Sequence, residues 1–548
     1  MLHFTHQSKE LQTGTVLKAT RVKTIALLFM LLLLLPTLLL AKGGVNKSSL
    51  SYKAASTEPI ARAEYNKITK VLTFLYNIPS ATEDENLTVV KFYNPSDNPK
   101  WFNGESFSFY WTQEIKSATS VIIEESFKNY AVPTCEKMFY EFDNLKSITG
   151  LEYLNTTNVK NMRQMFCFCK ALTSLDITHL KTNTVTDMAH MFNTCGVSSL
   201  DLSNFNTENV TDMAYMFKNC NQLTWIDLSS FNTAKVEKMY GMFQGTAQLE
   251  HIYAKELFTT EQVTNSNSNN MFNGCLKLPN FEPKVVDKTH ANRFKDGYFE
   301  ELVAKSGEER IGAVIDNGLT ANHLNLNDDK DLYLFNNFVA KKAAYSRTMK
   351  EGTKWATLCL PFEVSLDGQN FRAFHLLSTT EDGVELKEME KVIQAGTPAV
   401  IMMKEAETKL QFSIDNSSII SNISTTEDDN YKFVGIYQQK EFNKDTDGNC
   451  FIVKGNMLMN PAKLLENEKT TKVACKPFRA YFVYNSETVG AKTLNISISD
   501  KTTAIDHLDA IGDGKAEYYD LQGRRLNEPQ KGINIVKRGG KTMKIVIK

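Results

Sequence analysis

The compact signatures of catalysis and metal binding are missing from these 548 residues. No H-E-x-x-H, G-x-S-x-G, Walker loop or C-x-x-C occurs, so no motif places a zinc ion, a serine nucleophile, a nucleotide phosphate or a redox dithiol. The nine histidines are scattered and suggest no cluster. Charge of one sign is also missing. Lys+Arg 62 against Asp+Glu 63 gives a net charge of -1, which removes the electrostatic footprint of non-specific nucleic-acid binding. The nine cysteines are odd in number and follow no framework spacing. With 42% hydrophobic and 23% charged residues the composition is that of a folded protein. The length predicts about three or four domains.

Near the N-terminus Lys9, Lys18, Arg21 and Lys23 precede an apolar run from Ile25 to Ala41, interrupted only at Pro36 and Thr37. A positive segment followed by an apolar one reads as an export signal. Cleavage is the expectation for residues 1–41, with an uncleaved anchor as the alternative. Membrane contact is expected only there or through surface attachment.

The middle of the chain repeats. Met-Phe recurs at Met138-Phe139, Met165-Phe166, Met191-Phe192, Met216-Phe217, Met242-Phe243 and Met271-Phe272, a unit of about 26 residues. In the first half of each unit Leu200 and Leu202, or Ile226 and Leu228, alternate with Asp201 or Asp227, which predicts a short half-buried strand. In the second half Val210, Met213, Met216, Phe217 and Cys220 form one apolar stripe, which predicts a helix of about three turns. Such units bury their apolar faces only by stacking.

The pattern L-x-x-L-D-L-S-x-F-x-T-x-x-V-x-x-M-x-x-M-F-x-x-C resembles the BspA-like class of leucine-rich repeats over residues 121–285. The resemblance implies an α/β leucine-rich repeat solenoid, a cell-surface location and adhesin-like binding.

Three columns run along the repeats. Cys169, Cys195 and Cys220, with Cys275 and with Thr246 in the same place, read as buried small hydrophobes together with Met165, Phe166, Met191, Phe192, Met216, Phe217, Met242 and Phe243. Rungs roughly 5 Å apart also leave room for a disulfide between neighbours. Asp176, Asp201 and Asp227 form an exposed carboxylate ladder whose repulsion solvent, a cation or a basic partner would relieve. With Trp225 these three are the candidate partner-binding face. Thr156, Thr182, Thr207 and Thr233 read as caps where strand gives way to helix.

Residues 42–120 read as a mixed cap, with strands around 71–76 and 87–92 and bulk from Trp101 and Trp111. From 290 to 498 short β signals replace the repeat and suggest a sandwich-like domain acting as spacer, carbohydrate binder or second adhesive face. Residues 499–515 read as a linker. The tail 516–548, with Asp520-Leu-Gln-Gly523-Arg524 and Gly532-Ile-Asn-Ile535-Val, resembles a type IX secretion sorting domain; its alternative is a plain β-hairpin.

The expected function is binding of an extracellular protein or glycan, with no nucleic acid, no cofactor, no metal and no catalytic residue. A self-assembling surface component and a glycan-active enzyme working through 290–498 are the alternatives.

Overall fold

The computed structural model describes residues 61–77, 84–92, 109, 111–380, 383–404, 408–427, 430–485, 493–499, 517–520, 522–538 and 541–547. The export segment, Trp101 and all but Ser499 of the 499–515 stretch lie outside them. None of the described helices is long and apolar enough to cross a membrane.

Three N-terminal strands, Ala61–Asn66, Val71–Tyr76 and Leu87–Phe92, pair antiparallel. Val71–Tyr76 then pairs parallel with Ser120–Ile123, which pairs parallel with Ser147–Thr149. The N-terminal sheet thus runs into the strand column of the repeats. Trp111 is buried against Phe74 and Phe142 and donates its ring N–H to the Met138 carbonyl at 2.7 Å. One apolar core extends from Ala61 through the repeats to Phe299.

The helices predicted for the repeats do not form. The α-helices among the described residues are Gln113–Lys116 and Pro461–Leu465, both outside the repeats. The second half of each unit is instead a string of tight turns, and the backbone shows why. In one rung the N–H groups of His190, Phe192 and Thr194 donate to the carbonyls of Ala214, Met216 and Lys218 on the next rung. The alternate groups, those of Met191, Asn193 and Cys195, donate three residues back within their own rung. Left-handed residues recur four apart, at His190 and Thr194, Tyr215 and Asn219, Gly241 and Gly245. A helix would turn every N–H along its own axis; here half of them tie rung to rung.

The apolar stripe is nevertheless buried as its spacing requires. Val210, Met213, Met216, Phe217 and Cys220 are all fully buried. A turn every three or so residues sends side chains inward at nearly helical spacing, so periodicity alone cannot separate the two. The protein is therefore a β- and turn-rich molecule and not an α/β leucine-rich repeat solenoid. From Phe139 through Phe166, Phe192, Phe217 and Phe243 to Phe272 the rings stack with centroids 5.5 to 5.7 Å apart, a favourable offset distance.

The strand expected at Leu200–Leu202 does not form: residues 154–224 carry no strand and only isolated bridges such as Asp187 to Asp212, while the expected strand at Ile226 is present, and strand pairing resumes there. Trp225–Asp227 pairs parallel with His251–Tyr253, which pairs parallel with Phe299–Ser306. Phe299–Ser306 then turns back through Gly307 into Glu309–Ile315, with a register shift between Leu302 and Ala304. Beyond it, Phe338–Thr348 pairs along its length with Lys409–Ile419. A second, ten-stranded sheet contains Trp355–Leu358, Phe371–Thr380, Ala399–Met403 and Ala480–Tyr484. Residues of both sheets, among them Tyr345, Phe412, Leu358 and Ile401, share one core. Residues 517–547 contribute a separate four-stranded sheet.

A candidate partner-binding groove beside the repeats

Each carboxylate of the aspartate ladder is held by its own chain. Asp176 accepts from the N–H and hydroxyl of Thr178, at 3.1 and 2.7 Å. Asp201 accepts from the Ser203 N–H at 3.0 Å, and Asp227 from the Ser229 N–H at 2.9 Å. The Thr178 hydroxyl bond, with the Thr178 N–H, lowers the Asp176 pKa.

The structure divides the candidate face. Asp201, Asp227 and Trp225 line one open groove of about 600 Å³, and Asp176 is not among its lining residues. The floor is Leu200 and Leu202, both buried. The opposite wall is the hairpin that follows the repeats: Leu302, Lys305 and Arg310, with Phe335 at 51% exposure. The irregularity between Leu302 and Ala304 falls within this hairpin, and such bulges bend a strand and increase its twist. The Arg310 guanidinium reaches back to within 3.5 Å of the Trp225 ring centroid.

Two cations of the same chain, Lys305 and Arg310, line the groove that holds Asp201 and Asp227. No group of three or more His, Cys, Asp or Glu suited to a metal occurs among the described residues. Serine hydroxyls complete the lining. Ser230 donates to the Leu202 carbonyl at 2.8 Å, while the buried Ser229 hydroxyl has no hydrogen-bond partner. The groove thus offers carboxylate acceptors, cationic donors and aromatic surface, a mixture suited to a polar ligand with flat apolar faces.

The threonine column is structural, but not as helix caps. The Thr207 hydroxyl donates to the Asn232 carbonyl at 2.8 Å and accepts from the Asn232 N–H at 2.9 Å. Thr156 does the same with Lys181, Thr182 with Asn206, and Thr233 with Thr259. Each hydroxyl bridges to the following rung. The cysteines are all free and buried. Cys169, Cys220 and Cys275 donate their thiols to the carbonyls of Phe139, Phe192 and Phe243, each one rung back, at 3.0 to 3.1 Å. Thr246 makes the same bond to Phe217 at 2.7 Å. The column selects a small buried donor, which explains why threonine substitutes for cysteine in it. Burial holds the Cys195 and Cys275 thiols up at about 12, so they stay protonated and unreactive.

A family described as Mycoplasma protein of unknown function, DUF285, matches residues 107–224, 133–255 and 173–284 in overlapping alignments. The repeats are similar to that family. This match, with the missing helices, overturns the BspA-like leucine-rich repeat resemblance, and nothing in it supports the sorting-domain resemblance of the tail. No curated protein and no solved structure matches the chain.

Proposed function

We propose that this is an exported, cell-surface binding protein whose groove beside the repeats takes an extracellular protein or glycan. The observation that carries the reading is convergence. Three residues chosen from the repeat pattern, Asp201, Asp227 and Trp225, meet a cationic and aromatic wall supplied by another part of the chain. Export is read from the basic residues that precede the apolar run 25–41. Aromatic and arginine side chains are the usual anchors of binding surfaces.

An array of extracellular matrix proteins and glycans, probed with the full chain and with Trp225→Ala, tests this. A binder of the full chain that is lost with Trp225→Ala supports the groove. Binding that ignores the substitution places recognition elsewhere, and silence from both chains removes the proposal.

A further inference from the structure

A second pocket, independent of the groove, lies in the β-rich region. It encloses about 540 Å³ and is lined by Arg347, Arg479, Lys350, Lys454, Trp355 and Asn456. A cavity of this size accommodates a small ligand.

Its charge is unbalanced at depth. The Arg347 side chain is 6% exposed and that of Arg479 28%. Both guanidiniums share a single buried carboxylate, Asp328: Arg479 donates to it, and Arg347 Nε lies 3.4 Å from it without making a hydrogen bond. That carboxylate is also claimed by the Tyr345 hydroxyl at 2.6 Å. Arg347 otherwise donates to the Thr357 carbonyl at 2.9 Å, and the buried Nε of Arg479 has no partner. Arg347, almost fully buried, shares this one buried anion with the half-buried Arg479, which Asp329 also faces electrostatically; the Arg347 guanidinium is thus under-compensated at depth, an arrangement that costs free energy until a counter-charge arrives. Burial, then the neighbouring Arg479 charge, lowers the Arg347 pKa, so the pair repels itself.

The rim adds to this field. Lys350 and Lys454 are exposed there, against one acidic lining residue, Glu351. Trp355, packed on one side against Phe374 at 5.6 Å, gives the pocket a flat apolar surface. The Asn456 side-chain oxygen Oδ1 accepts from the backbone N–H groups of Lys354 and Trp355, which fixes its amide at the mouth.

We propose that this pocket binds a carboxylate-bearing sugar, with the carboxylate compensating the Arg347 and Arg479 pair and the ring lying against Trp355. A carboxylate brings one negative charge to the under-compensated Arg347, whereas a phosphate dianion would bring a second charge to desolvate. Planar guanidiniums are matched to carboxylates, and the tryptophan surface suits a sugar ring.

Titration of the full chain with glucuronate, glucose and inorganic phosphate, followed by NMR, tests this. Glucuronate is expected to bind at least about tenfold tighter than glucose, with phosphate weaker than glucuronate, and Arg479→Gln to lose at least about tenfold. Lys454→Glu, at an exposed position, is expected to weaken glucuronate binding in the same direction should Arg479→Gln fail to fold. Trp225→Ala is expected to leave glucuronate binding unchanged, which separates this pocket from the groove. Equal binding of glucuronate and glucose, tighter binding of phosphate, indifference to both charge substitutions, or loss with Trp225→Ala would each overturn the assignment.

Discussion

The guanidinium carbon of Arg310 lies 3.5 Å from the centroid of the Trp225 ring. Trp225 belongs to the strand column of the repeats and Arg310 to the hairpin beyond them, so this contact joins the two walls of the groove. Partly desolvated cation–π contacts contribute about 0.5–2 kcal/mol. Arg310→Ala is therefore expected to lower stability by about that amount in urea unfolding, with Arg310→Lys intermediate. Unchanged stability in both would mean that the contact holds nothing together.

Thr207→Val tests the hydroxyl bridges. Valine keeps the shape but removes the group that serves both the N–H and the carbonyl of Asn232. Leaving buried backbone groups unsatisfied costs about 1–3 kcal/mol. Urea unfolding should show that loss, and a change under about 0.5 kcal/mol would demote the bridge to an incidental contact.

The donor column makes a comparative prediction. Thr246→Cys restores the residue found at Cys169, Cys220 and Cys275 and keeps a donor for the Phe217 carbonyl. Thr246→Val removes it. The cysteine variant should melt within a few degrees of the parent, while the valine variant loses about 1–3 kcal/mol. Equal losses would show that size, not hydrogen bonding, governs the column.

Two histidines respond to pH with opposite sign. His251 donates toward Glu300 at 2.6 Å, and this bond raises its pKa above 6.5. Its contribution is full below 6.5 and disappears as pH rises through the raised value. His190 is half-buried against Tyr215 at 4.7 Å, and this partial burial, with Arg163 and Lys218 nearby, depresses its pKa to about 4. Its contribution is present above 6.5 and is lost as pH falls toward about 4. The melting difference between the parent and His251→Phe should shrink from about pH 5.5 to about pH 8.5. For His190→Phe the parent's relative stability should fall between about pH 6.5 and about pH 4. Parallel profiles in either comparison would contradict the assignment.

Much of the inward face was legible in the sequence. The Met-Phe pairs, the cysteine column and the threonine column lie inside as their repetition requires. Backbone type was not legible from side-chain spacing, because stacked turns and a helix both present an apolar residue every three or four positions. A signal was nevertheless there. Gly241, Gly245 and Gly274 fall within the stretches whose spacing predicts a helix, and all three adopt left-handed backbone, where glycine is favoured, whereas helix interiors avoid it. The groove was half legible. Asp201, Asp227 and Trp225 follow from the repeat, but Lys305 and Arg310 come from a later hairpin, and only tertiary pairing of Phe299–Ser306 with His251–Tyr253 brings them across. Asp176 has the same local pattern and lies outside the groove, since the hairpin wall is built against later rungs.

Amide hydrogen exchange of the full chain, with and without the strongest binder found on the array, is the most direct test of where recognition occurs. Slowed exchange at 199–203, 225–230 and 302–310 is the predicted result. Protection confined to other segments, or no change at these three, would contradict a binding groove built between the repeats and the hairpin.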